Sequence, residues 1–221
     1  MSKETTKFSA SYVAKIGIFS ALCYVLYLIR TPLSFWFPFW LEINLSDVPA
    51  LISGFMLGPL AGVLTVTVKI LLKLPFTSTA CVGELADYLI GLAFVLPSSL
   101  VYKYHKDVKH ALYGMILGAG CSIIVAILAN VFILIPFYLF VQNWKLSTLV
   151  EASSGVIKGI TESNFYVYYA FFAVLPFNAL RCVVAGGITF LVYKKISILT
   201  RQLEKSMVYY SCNKVEESGY F

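Results

Sequence analysis

The run from residue 111 to residue 137 is 27 residues long and contains no Asp, Glu, Lys or Arg. A helix crosses a bilayer core about 30 Å thick with roughly 20 apolar residues, and an uncharged stretch of that length has no stable place on a water-soluble domain. Composition extends the point. Of 221 residues, 59% are hydrophobic and 13% charged, against about 25% charged in soluble chains. The class is an all-α integral membrane protein, since a helix satisfies its own backbone hydrogen bonds in lipid.

Five further apolar segments flank that run. The first is 13–29, closed by Arg30. Residues 48–74 are too short for two full crossings and too long for one, and Gly58-Pro59 breaks them into short helices at 48–58 and 60–74. Residues 82–102 form the fourth span and 111–137 the fifth. Pro176 suits the first turn of a sixth span, 177–193. The aromatic stretch FYVYYAFFAVL at 165–175 reads as an interfacial helix or lid. Six transmembrane helices, two of them short, make one membrane domain over 1–200, with a cytoplasmic tail at 201–221.

The net charge of +6 follows the loops. Lys3, Lys7 and Lys15, the 103–110 loop, and the basic residues after Tyr193 gather 11 of the 17 Lys and Arg on one side. The positive-inside rule makes that side, with both termini, cytoplasmic. The basic balance thus sets orientation and calls for no nucleic-acid partner.

When the 28 charged residues are sorted by depth, Arg30, Glu42, Asp47, Lys145, Glu151, Lys158 and Glu162 fall to the outer loops. Five remain in the spans: Lys69, Lys73, Glu84, Asp87 and Arg181. An ionisable group at membrane depth costs about 3 kcal/mol and marks a functional site by default. All five lie near the outer ends of their helices, within about 10 Å of the outer surface at 1.5 Å per residue. Asn130 and Asn178 fall in the same layer. The pairs 84/87 and 178/181 each share a helix face. The expected object is an outward-facing pocket for an amphiphilic solute with a polar edge. The plainer alternatives are acids and lysines complementing helix dipoles, or a Lys73 salt bridge to Glu84 or Asp87.

Nothing in the chain suggests an enzyme. It carries no phosphate-binding loop, no HExxH or GxSxG string, and no Cys/His cluster among its five cysteines and two histidines. No metal or cofactor is expected. Gly17 and Ala21 put small residues four apart on the first span, a face that another helix can approach closely.

The string EINLSDVPALISGFMLGP from Glu42 and TSTACVGELAD from Thr77 resemble the S components, the substrate-binding subunits of energy-coupling factor (ECF) transporters, and most closely their riboflavin-specific branch. Ala129-Asn130, the Pro136-Phe137-Tyr138 that follows, and PFNALR at 176–181 extend the resemblance over about residues 10–195. It implies a six-helix protein in a prokaryotic plasma membrane with both termini cytoplasmic. Such a protein captures riboflavin at the outer face for uptake driven by a transmembrane coupling protein and two ATPase subunits. By position, Asn130, Asn178 and Arg181 hold the isoalloxazine. The loop around Leu45 and the stretch 79–84, with Thr79, Gly83 and Glu84, help enclose it, and the Gly17/Ala21 face docks on the coupling protein.

The residues suit that ligand. Asn amides both donate and accept, as a uracil-like edge requires. Thr79, Glu84 and Asp87 offer partners for ribityl hydroxyls, and the aromatics of the first outer loop (residues 35–40) can cover the ring. Two departures from the family are Ile70, where Asn is frequent, and Arg181, where Lys is frequent. Arg keeps the charge with different geometry, which points toward FMN or a related flavin. The other readings are an S component for a different vitamin-like solute, a stand-alone secondary transporter, and a membrane-embedded enzyme. The last lacks a catalytic constellation and the secondary transporter lacks an internal repeat.

Overall fold

The computed structural model describes residues 10–77, 79–193 and 195. The tail assigned to 201–221, and Lys3 and Lys7, lie outside them. The chain forms α1 (Ala10–Leu28), a two-stranded hairpin of β1 (Thr31–Pro32) and β2 (Glu42–Ile43), α2 (Asp47–Leu57), α3 (Pro59–Lys73) and α4 (Val82–Tyr104). There follow α5 (Val108–Val141), the short α6 (Leu146–Ser154) and α7 (Phe165–Tyr193). Among the described residues, five helices are long and apolar enough to cross a membrane, and α2, at 11 residues, is shorter.

Gly58 separates α2 from α3 with φ 102° and ψ 167°, a region closed to side-chain-bearing residues. Pro59 then opens α3 at the position where a missing N–H costs nothing. The two helices pack as a tight pair, joined by a hydrogen bond between the Ser53 and Thr65 hydroxyls at 2.9 Å. A 3₁₀ turn, Leu74–Phe76, lengthens α3 to 18 residues. The pair is therefore one short and one nearly full-length helix rather than two short ones.

The largest departure from expectation is α7. Pro176 does not open a span. It sits inside one helix of 29 residues, and residues 165–175 are its first turns rather than a separate lid. Proline removes a backbone donor and its ring presses on the preceding turn. The chain passes it by widening into a π turn at Ala170–Val174. α5 does the same around Pro136, with π turns at Asn130–Leu134 and Phe137–Val141, and so runs 34 residues instead of ending at 137. Both widenings lie beside the site described below. The β1–β2 hairpin was not foreseen either. It pairs Thr31 with Ile43 and is clasped by Arg30–Glu42 at 3.0 Å.

α4 and α5 make the most extensive helix pair among the described residues. A Cβ on Gly114 would stand 2.6 Å from the Ser98 carbonyl oxygen, so only glycine permits the approach. The 103–110 turn caps α5 through Asp107, whose carboxylate accepts the His110 backbone N–H at 2.8 Å. That bond, with the His110 ring nitrogen beside it, holds the Asp107 carboxyl below its ordinary range. At this end Phe55, Tyr102 and Tyr193 close the core, with the two tyrosine hydroxyls 2.7 Å apart. The outward faces of the helices stay apolar, as at Ile18, Ile116 and Val183, which suits lipid.

Candidate functional site

At the opposite end from the Tyr102–Tyr193 closure, the first turns of α4, the later turns of α5, the middle of α7 and the hairpin loop surround a cavity of about 310 Å³, at the small end of ligand pockets. Its polar lining includes Asn44, Thr79, Glu84, Asp87, Asn130, Asn178 and Arg181, and Gly83 lines it too. Its apolar lining includes Phe39, Trp40, Tyr138 and Phe177. The layer inferred from the sequence therefore converges. Leu45 does not line it. Leu45 packs against the apolar core that contains Val48 and Leu51, and its neighbour Asn44 faces the cavity instead.

Beneath the cavity lies a four-charge network. The Arg181 Nε donates to Asp47 Oδ2 at 2.9 Å, and its Nη2 lies 2.8 Å from the same oxygen and 2.7 Å from Asp87 Oδ1. Lys69 Nζ donates to Asp87 Oδ2 at 3.1 Å and to Ser46 Oγ at 3.0 Å, with Asp47 Oδ1 3.7 Å away. Two cations and two anions from α2, α3, α4 and α7 thus cancel within a buried cluster. Asp47, assigned above to an outer loop, is the first residue of α2 with a side chain 2% exposed. A carboxylate at a helix start is favourable on its own, but the Arg181 guanidinium is what makes its burial tolerable.

The remaining charges are held separately. Lys73 Nζ donates to the Phe76 carbonyl at 3.0 Å, and no salt bridge joins it to Glu84 or Asp87 among the described residues. Glu84 accepts the Thr77 and Thr79 hydroxyls at 2.7 and 2.9 Å. Those threonines also brace a strained turn, with Ala80 at φ 46° and Cys81 at φ 69°. A Cβ on Gly83 would come 2.7 Å from Thr79 Oγ1, which already accepts the Gly83 N–H. The loop is therefore built to carry Glu84 and Thr79 to the cavity wall.

The two asparagines stand beside the π turns. Asn130 Nδ2 donates to the Ala126 carbonyl and Asn178 Nδ2 to the Val174 carbonyl, both at 2.8 Å. The Tyr169 hydroxyl donates to Asn130 Oδ1 at 2.9 Å and itself accepts from Trp40 Nε1 at 2.8 Å. Of the first-loop aromatics, Phe39 and Trp40 reach the cavity and Phe37 packs edge-on to Phe177 at 5.3 Å. Phe35 and Trp36 point away and are exposed. Sequence reasoning missed Asp47, Asn44 and Tyr169. No group of His, Cys, Asp and Glu suited to a metal occurs among the described residues.

Comparison with known proteins identifies the family. Residues 11–193 match the family model of the ECF transporter substrate-specific component. The riboflavin transporter RibU of Staphylococcus aureus (strain TCH60) is 29% identical over 188 residues, covering 85% of this chain and 91% of that protein. The riboflavin transporter FmnP of Bacillus subtilis (strain 168) is 25% identical over 184 residues, covering 82% and 89%. The solved structure of the S component of a bacterial ECF transporter superposes with a TM-score of 0.67 at 26% identity, over 86% of this chain and 97% of that one. A matched segment spanning most of the chain, with the same fold, decides the family: this protein belongs to the substrate-specific S components of ECF transporters.

Proposed function

We propose that this chain captures riboflavin from outside a prokaryotic cell and delivers it inward when a transmembrane coupling protein and two ATPases act on it. The observation that carries the reading is the cavity itself, lined by Trp40, Tyr138 and Phe177 together with the amides of Asn130 and Asn178. Aromatic walls suit a flat tricyclic ring, and the amides suit the edge on which its polar atoms lie. Thr79, Glu84 and Asp87 supply partners for the ribityl hydroxyls. Counting α2, the chain crosses the bilayer six times with both termini cytoplasmic, and the lysine-rich 103–110 loop supports that orientation. The protein binds; the energising subunits do the chemistry.

Arg181 does not favour a phosphorylated flavin in this arrangement. Both carboxylates beside it already neutralise it, and the other cation lining the cavity, Arg30, is paired with Glu42. Glu84 adds a negative charge. A phosphate would enter without a free cation to meet it. Purified protein is expected to quench riboflavin fluorescence at one flavin per chain and to bind the phosphate ester about tenfold more weakly or worse. Absence of quenching would overturn the flavin reading, and equal affinities would overturn the charge argument.

Asn178→Ala removes both the donor and the acceptor that Asn178 offers the cavity. Riboflavin affinity is expected to fall roughly tenfold or more, while co-purification with the coupling protein persists. Unchanged affinity would place Asn178 outside the site.

A further inference from the structure

Tyr169 does not line the cavity, yet it determines what the cavity presents. Indole nitrogen is only a donor, so the 2.8 Å contact from Trp40 Nε1 obliges the Tyr169 oxygen to accept. The phenolic proton is then free to donate, and it points at Asn130 at 2.9 Å. The atom it meets must be the amide oxygen. The opposite end of the same amide is fixed independently, because the Ala126 carbonyl can only accept and lies 2.8 Å from Nδ2. Two one-way partners thus fix one orientation of a side chain that could otherwise flip. Asn130 lines the cavity with its oxygen turned to Tyr169 and one amide N–H uncommitted.

Asn178 is held at one point only. Its Nδ2 donates to the Val174 carbonyl at 2.8 Å, and among the described residues Oδ1 accepts nothing. It therefore offers the cavity one donor and one acceptor. Together the two amides present two donors and one acceptor. The complement is a ligand edge with two acceptors and one donor, the inventory of two ring carbonyls flanking an N–H.

We infer that Tyr169, oriented by Trp40, is a positioning residue that locks Asn130 as a donor and so makes the site selective for a ring edge of two carbonyls and one N–H. The inference rests on the flavin reading above and names the part of the ligand that is read. Without the hydroxyl, Asn130 keeps one hold, on the Ala126 carbonyl, and its oxygen is released to accept from a ligand. An edge with an amino group in place of a carbonyl then finds an acceptor there.

The test compares riboflavin with an analogue carrying an exocyclic amino group in place of one ring-edge carbonyl, using fluorescence titration of the full chain in detergent. The wild-type protein is expected to prefer riboflavin at least about tenfold, because the amino group meets the locked donor. Tyr169→Phe is expected to weaken riboflavin binding and to narrow the preference for it. Asn130→Asp, which removes the donor while leaving Tyr169 in place, is expected to lose riboflavin outright. Weaker binding of Tyr169→Phe with the preference intact makes the tyrosine a packing residue and overturns the proposal, as does a variant equal to wild type in both respects. A wild-type chain that binds no riboflavin overturns the flavin reading instead.

Discussion

Asp47→Asn is expected to be the most damaging conservative change in the chain, lowering the melting temperature of the detergent-solubilised protein by roughly 10 °C. The substitution changes one atom and almost no volume. It leaves Arg181 and Lys69, both buried, to share Asp87 as their one carboxylate. Removing one member of a buried ion cluster costs about 3–5 kcal/mol, because the charge left over has neither water nor partner. Lys69→Met in the same chain removes the surplus cation and returns the cluster to one Arg–Asp pair. The double variant is therefore expected to melt above the Asp47→Asn single, so that the two substitutions are strongly non-additive. Differential scanning fluorimetry on the four proteins decides it. A single variant that melts with wild type, or a double variant whose loss equals the sum of the singles, would show that the four charges do not act as one unit.

That cluster also marks how far the sequence was readable. Helix positions follow from the length and apolarity of each run, and α2, α3 and α4 begin within a residue or so of expectation. The convergence of Asn130, Asn178, Arg181, Glu84 and Asp87 was legible too, because depth along a helix is simple arithmetic once the spans are placed. Asp47 was not. It stands at the margin of an apolar run, where an acid reads as a solvated helix start, and the residue that buries it is 134 positions away. Tyr169 was hidden for a related reason. In an aromatic stretch, no local signal distinguishes the one hydroxyl that meets Asn130 from its lipid-facing neighbours. Prolines misled differently. Pro176 has the chemistry of a helix start, and only the π turn before it, a tertiary accommodation, allows the helix to run through. Leu45 and Asn44 are adjacent, and which of the two faces the cavity depends on how the hairpin delivers the chain into α2, a register no periodicity records.

The α1 surface bears on coupling, and there a single substitution is expected to cut uptake without touching the pocket. α1 turns Ile16, Ser20, Cys23 and Tyr27 inward. Ala10, Ala14, Gly17 and Ala21 are exposed on the helix, and a Cβ built on Gly17 meets nothing within 4 Å. Internal packing therefore does not explain the small residues. A flat stripe of this kind lets a second helix approach until backbone meets backbone, which is what docking on the coupling protein requires. Gly17→Leu fills that space without disturbing any contact inside the chain. Riboflavin affinity is expected to stay at the wild-type value while flavin uptake by cells supplying the coupling protein and ATPases falls at least about tenfold, the equivalent of roughly 1.4 kcal/mol of docking free energy. Ala21→Leu should behave alike, being one turn further along the same stripe. Uptake at the wild-type rate would take this face out of the docking surface, whereas a parallel loss of riboflavin binding would assign Gly17 to the fold.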